Sequence, residues 1–209
     1  MSIVLFGKNG QLGRHIVKNL GHKEDFYSFD SSEVNFHNLN EIESCLLKHK
    51  PKLIINAAAF TKVDLAEEEV ETSFQINTEA VATIAKISKE INAHLVHYST
   101  DYVFDGKKRD PYNELDQTGP LGIYGKSKFL GEKKILDSEC EYYIFRTSWV
   151  ISEFGDNFLL KMLKFFKSNS PLKIVDDQYG VPTDAKFLAD NSLKLVSNAE
   201  TRNNIINLV

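Results

Sequence analysis

The apolar positions of this chain fall into two alternating kinds of segment. Short, nearly unbroken apolar runs at residues 2–6 (SIVLF), 25–29 (DFYSF), 52–56 (KLIIN), 94–98 (HLVHY) and 142–145 (YYIF) read as strands buried on both faces. Between them the apolar positions recur every three or four residues. One such helix follows Gly13, and a second spans 39–49 with Leu39, Ile42, Leu46 and Leu47 on one face. A long helical stretch covers 65–92, with Val81, Ile84 and Ile87 in its stripe, and another helix follows Gly125. Beyond Trp149 the rhythm loosens into a helix over 157–167, a short strand at 172–175, a helix over 185–197 and a strand at 204–209. Strands alternating with helices predict βαβ units, hence an α/β fold with a doubly wound, Rossmann-like parallel sheet. Ligands of such sheets bind where the carboxyl ends of the strands open, so chemistry is sought in the loops after those ends.

Composition changes this picture mainly by exclusion. The chain has 209 residues, 42% hydrophobic and 26% charged, enough for a large core without disulfides or metals. No apolar run is long enough to cross a membrane, and Lys8 interrupts the N-terminal apolar run before a secretory signal forms. A net charge of −4 offers no basic footprint for nucleic acid or an anionic membrane. Cys45 and Cys140 are too few for a disulfide framework and too far apart for a zinc motif. A cytoplasmic, acidic protein with no metal site is expected.

Two motifs carry chemistry. Gly7-Lys8-Asn9-Gly10-Gln11-Leu12-Gly13 is G-x-x-G-x-x-G between the first strand and the first helix. One glycine permits the tight turn, one lets backbone approach a pyrophosphate, and one permits close helix–strand packing. The helix start adds free N–H groups and a positive dipole end. Asp30 ends the second strand, where a carboxylate accepts hydrogen bonds from an adenosine ribose. A dinucleotide site follows, with NADPH or NADH left open: Asp30 repels a 2′-phosphate, and Lys8 and Arg14 offset that repulsion. The second motif is Tyr124-x-x-x-Lys128 at the start of a helix. Roughly one such pair arises by chance in a chain of this composition, so its position is what counts. At i and i+4 the two side chains share a face, and an ammonium there is expected to lower the phenol's pKa, making Tyr124 a proton donor to a carbonyl oxygen. Ser99 and Thr100, just past the fourth strand, supply a hydroxyl to orient that oxygen.

The segments LFGKNGQLG, IINAAAFTKVDLAE, HYSTDYVFDG, PLGIYGKSKFLGE, FRTSW and DDQYGVPT together resemble the extended short-chain dehydrogenase/reductases, and among them the dTDP-4-dehydrorhamnose reductase family. The resemblance runs through nearly the whole chain. It implies NAD(P)H-dependent reduction of the 4-keto group of a dTDP-4-dehydro-6-deoxy sugar, most specifically giving dTDP-L-rhamnose. It places Thr100, Tyr124 and Lys128 at catalytic positions. Gly7, Asn9, Gly10, Gln11, Leu12, Asp30, Ala57, Ala58, Ala59 and Lys128 fall at the cofactor, with Asn35 near the adenine. Thr100, Tyr102, Tyr124, Trp149 and Gln178 fall at the sugar-nucleotide substrate. It divides the chain into an NAD(P)-binding part, 1–150, and a partial substrate-binding region, 151–209, intertwined with the sheet. Partners are then a sugar nucleotide, without nucleic acid or membrane, and a homodimer stays open.

Phe60 and Asn35 depart from the family pattern. Relatives also continue past the strand at the end of this chain, so substrate affinity is expected to be weak. Two alternatives remain: a non-catalytic NAD(P)-binding regulatory subunit resembling the methionine adenosyltransferase beta subunit, and a truncated, inactive reductase. Other signals carry little. His94 and His97 point to opposite faces of a strand, the acids at 67–69 and Glu71 read as a solvated helix face, Lys107, Lys108 and Arg109 as a surface turn, and Cys45 as core.

Overall fold

The computed structural model describes residues 1–168, 174–198 and 203–209. Six parallel strands form one sheet: β1 (Ile3–Phe6), β2 (Phe26–Phe29), β3 (Leu53–Asn56), β4 (His94–Thr100), β5 (Glu141–Thr147) and β8 (Asn204–Asn207), in the order β2-β1-β3-β4-β5-β8. The two-stranded β6 (Val150–Ile151) and β7 (Thr183–Asp184) lie apart from it. β1 and β3 are buried at every position, as their unbroken apolar runs require.

Helices cover both faces. α1 (Gln11–Leu20) and α8 (Ala185–Asn198) pack together, and Ile16 and Leu188 join Ile3, Leu5 and Phe145 in one core cluster. On the other face lie α2 (Leu39–His49), α5 (Ala80–Glu90) and α6 (Ile123–Asp137), whose apolar stripes meet Val4, Phe6 and Ile54. The doubly wound parallel fold is therefore as expected. The strand order reverses between β1 and β3, so the loops at residues 7–13 and 57–62 open side by side at the switch point of the sheet.

Three sequence expectations change. The stretch 65–92 is not one helix but α3 (Val63–Ala66), α4 (Val70–Phe74), a π segment (Gln75–Glu79) and α5. The first piece stops at the three consecutive glutamates 67–69. The π turn accompanies a close backbone approach: a Cβ on Gly131 of α6 would lie 2.2 Å from the Asn77 carbonyl oxygen. α6 begins at Ile123, because the Glu67 carboxylate accepts the Ile123 N–H at 2.7 Å. Glu67 is exposed, as a solvated face requires, and it also caps a helix across the fold. Of the strand expected at 172–175, residues 172 and 173 lie outside the described residues, and Ile174 and Val175 are irregular and exposed. The strand expected at 204–209 is present as β8, paired in parallel with β5. α7 (Phe158–Ser168) matches the helix expected there.

Candidate functional site

The three glycines of the 7–13 loop do different work. Gly7 has φ +89°, a left-handed turn that disfavours any side chain, and a Cβ there would also strike Ala57 and Ala58 backbone at 2.7–2.8 Å. A Cβ on Gly13 would fall 2.0 Å from the Gly7 oxygen, so this glycine lets α1 sit against the strand end. Gly10 is different: its backbone is extended and a Cβ would meet nothing nearer than the Gly7 oxygen at 3.4 Å. The fold does not require glycine here. Gly10 caps the start of α1 and lines the cleft beside it, a cradle with helix N–H groups suited to a phosphate.

Asp30 sits at the end of β2 with its carboxylate already engaged. It accepts from Asn9 Nδ2 at 2.7 Å and from the Ser32 hydroxyl and N–H at 2.6 and 2.9 Å. Those Ser32 bonds, with Lys8 nearby, hold it below the usual carboxylate range. Lys8 also pairs with Glu33, and Arg14 Nε donates to the Asn9 carbonyl. Asn35 lies in an exposed turn, its side-chain oxygen accepting the His37 N–H at 3.0 Å, outside the cleft lining.

At the far side of the cleft, β4 and the start of α6 meet. Thr100 Oγ1 accepts the Tyr102 N–H at 3.2 Å and donates to Asp101 Oδ1 at 3.0 Å, so it caps the turn after β4. The nearby Thr100 hydroxyl favours the ionised Tyr124 phenol and so opposes the effect of burial on it. Burial dominates, and the Tyr124 phenol is pushed up to about 12, with Asp101 and Tyr102 adding to the rise. The lowering expected from Lys128 is not found. Lys128 does share the face of α6, but its Nζ donates to the Tyr98 carbonyl at 2.6 Å and lies 3.3 Å from His97 Nε2. Burial brings Lys128 itself down to about 8, against the opposing pull of Glu132. Tyr102 packs edge-on to Tyr124, ring centroids 5.6 Å apart.

Gln11, expected at the cofactor, also reaches across the cleft. Its Oε1 accepts from Asn157 Nδ2 at 2.9 Å and Ser152 Oγ at 3.1 Å, and its Nε2 donates to the Val150 carbonyl at 3.3 Å. This staples the loop after β6 to the start of α1. Trp149 turns the chain between β5 and β6 with φ +41°, and its indole packs over Gly180. It is 39% exposed, hence not core, and lies outside the cleft lining; Gln178 is exposed in the segment before β7, also outside that lining.

One cleft of about 740 Å³ gathers most of these groups. Asn9, Gly10, Gln11, Leu12 and the alanines 57–59 line one side, Tyr124 and Lys128 the other. Sequence reasoning left Thr147 unassigned, and gave Ser99 less weight than Thr100. Both hydroxyls line the cleft, are 7% and 4% exposed, and have no hydrogen-bond partner within the protein. Two buried hydroxyls without partners, on residues that line a cleft, are groups that a polar ligand would satisfy. His97 and Asn56 were also missed, since reading His94 and His97 as an H-x-x-H pair tested only for a metal. Among the described residues no group of three or more His, Cys, Asp or Glu side chains is placed to hold a metal ion. No helix among them is long and apolar enough to cross a membrane.

The chain matches the family model described as the RmlD substrate binding domain over residues 1–208. It belongs to that family. Among curated relatives it is 43% identical over 194 residues to the dTDP-4-dehydrorhamnose reductase of Salmonella typhimurium, covering 91% of this chain and 65% of the relative. To the reductase of the same name from Burkholderia thailandensis it is 38% identical, covering 95% of this chain and 67% of the other. Of solved structures, the dTDP-4-dehydrorhamnose reductase of Bacillus anthracis in complex with NADP superimposes with a TM-score of 0.92 at 32% identity, over 100% of this chain and 75% of that one. The chain thus spans about 65% of the length of the first of these family members.

Proposed function

We propose that this chain reduces the 4-keto group of a dTDP-4-dehydro-6-deoxy sugar, dTDP-4-dehydrorhamnose being the specific candidate, using NADPH or NADH. The observation that carries this is a cleft that joins the glycine cradle to Tyr124, at the switch point of the sheet. The chain's kinship with reductases of that name, one solved with NADP, points the same way.

Gly10 and the α1 N-terminus would hold the cofactor's pyrophosphate, Asp30 its adenosine ribose, and the alanines 57–59 would leave room along its length. Bound there, the reduced nicotinamide supplies a hydride to C4 of the sugar. Tyr124, protonated at neutral pH, gives its proton to the oxygen as negative charge develops on it, and Thr100 and Ser99 hold that oxygen in place. The substrate gains one hydride on carbon and one proton on oxygen, leaving tyrosinate to be reprotonated. Residues 1–150 would serve the cofactor and 151–209 the sugar nucleotide, with Trp149 and Gln178 on the sugar side. A second reading, cofactor binding without turnover, draws on Lys128 being bonded to the Tyr98 carbonyl. An NAD(P)H oxidation assay with the 4-keto sugar nucleotide separates the two. Substrate-dependent oxidation is expected; cofactor binding without oxidation supports the second reading, and no response to either cofactor sinks both.

A further inference from the structure

Beneath the cleft floor, Asn56 at the end of β3, His97 in β4 and Lys128 in α6 form a buried row, each no more than 2% exposed. The row has a direction. The Ala58 N–H donates to Asn56 Oδ1 at 3.1 Å, and a backbone N–H can only donate. That bond decides which way the Asn56 amide faces, and turns its Nδ2 toward His97 Nδ1 at 3.2 Å. An NH₂ group also only donates, so Nδ1 must be the bare nitrogen and the imidazole proton must sit on Nε2. Nε2 in turn lies 3.3 Å from Lys128 Nζ. A neutral amine has a lone pair to accept that N–H. An ammonium has none.

We propose that Asn56 and His97 are positioning residues that oppose protonation of Lys128 and couple its charge to the backbone at Ala58 on the cleft wall. If Lys128 gains a proton from solvent, Nζ becomes a donor only, and His97 must accept on Nε2. Its own proton then moves to Nδ1, where it meets the hydrogens of Asn56 Nδ2. Relieving that clash requires turning the Asn56 amide, which withdraws the acceptor from Ala58 N–H. The charge on Lys128 and the hydrogen bond of the Ala58 wall are therefore alternatives. Other charged groups around Lys128 do not remove the conflict. Glu132, one turn along α6, favours the ammonium, but its carboxylate is bound by Arg146 of β5 through bonds of 3.0 and 2.7 Å. Tyr124, on the same face of α6, is neutral at neutral pH, and β4 offers Lys128 only the Tyr98 carbonyl and His97. Burial lowers both Lys128 and His97, and the Lys128 charge adds to the lowering of His97.

The inference deepens the proposed site, since Lys128 is the residue assigned there to catalysis and cofactor. Its test uses no turnover. In the full chain labelled with ¹⁵N-histidine and ¹³C-lysine, NMR reads the His97 tautomer and the Lys128 titration, with Lys128→Met assigning the lysine signal. Above the Lys128 titration, at about pH 9.5, His97 should carry its proton on Nε2; a proton on Nδ1 there overturns the proposal. Asn56→Asp replaces the donor by an acceptor, so His97 should switch to Nδ1–H and Lys128 should bind its proton at least tenfold more tightly. A tautomer switch without that gain, or the gain without a switch, also overturns it. If Asn56→Asp does not fold, the wild-type tautomer decides alone. A protein that shows the Nε2–H tautomer yet never oxidises NAD(P)H sinks the reductase reading and leaves this one standing.

Discussion

The junction of β4 with α6 and the segment after β5 treat polar and apolar side chains in opposite ways. At the junction, polar and charged groups are buried and paired: Ser127 with Asn77, Thr78 with the Ser127 carbonyl, Glu132 with Arg146, Lys128 with Tyr98. In α7 apolar side chains are left outside, Phe158 57% and Phe166 73% exposed. A buried polar network tolerates few arrangements, because each partner lost leaves an unsatisfied group in a low dielectric. An exposed phenylalanine sets no such condition. The precision needed for proton transfer is concentrated at the junction, and Tyr124 stands on it.

The sharpest way to break this contrast is Tyr124→Phe. If the junction carries the chemistry, reduction falls by about 10²–10⁴-fold while nicotinamide fluorescence still reports cofactor binding. Wild-type turnover would remove Tyr124 from the mechanism. Next come two glycines of one loop. Gly13→Ala drives a Cβ to 2.0 Å from the Gly7 oxygen and should destabilise by about 1–3 kcal/mol or more, read as a lower denaturant midpoint. Gly10→Ala fits the backbone and should leave that midpoint in place while weakening cofactor affinity. Equal losses of stability in both variants would refute the division of labour.

Lys128 gives a smaller, pH-dependent effect. Its folded value of about 8 lies below the ordinary lysine value of about 10.4, so between these the unfolded chain binds more protons. Stability from this group therefore rises with pH through that window, and is lowest below it. Lys128→Met should flatten the rise and stabilise the protein near pH 7, seen by thermal melts across pH; an unchanged slope would contradict the burial. Smallest of all, Phe166→Lys in α7 should change stability by no more than about 0.5 kcal/mol, and a large loss would show that α7 is packed after all.

The fold was legible because both-face burial writes itself as unbroken apolar runs, as in β1 and β3. The glycine loop was legible for a similar reason: its three roles follow from strand–turn–helix context. The break in 65–92 was not, since the stripe Val81, Ile84, Ile87 continues past it and the π turn answers to Gly131, over fifty residues away. Nor was the fate of Lys128. Spacing in a helix says which face a side chain shares, but the carbonyl it finds belongs to another strand. His97 stayed hidden for the same reason, because a histidine's role depends on what each ring nitrogen meets.

The contacts made by Gln11 join residues 139 to 146 positions apart in the chain. Loops closed over such distances lose the most chain entropy and form late. The cleft wall at residues 150–157 is therefore completed only once the first βα unit exists to receive it. Binding-competent protein appears only when the chain has been made well past its midpoint. Any ligand that grips the start of α1 also favours completion of that wall, drawing the folding equilibrium with it.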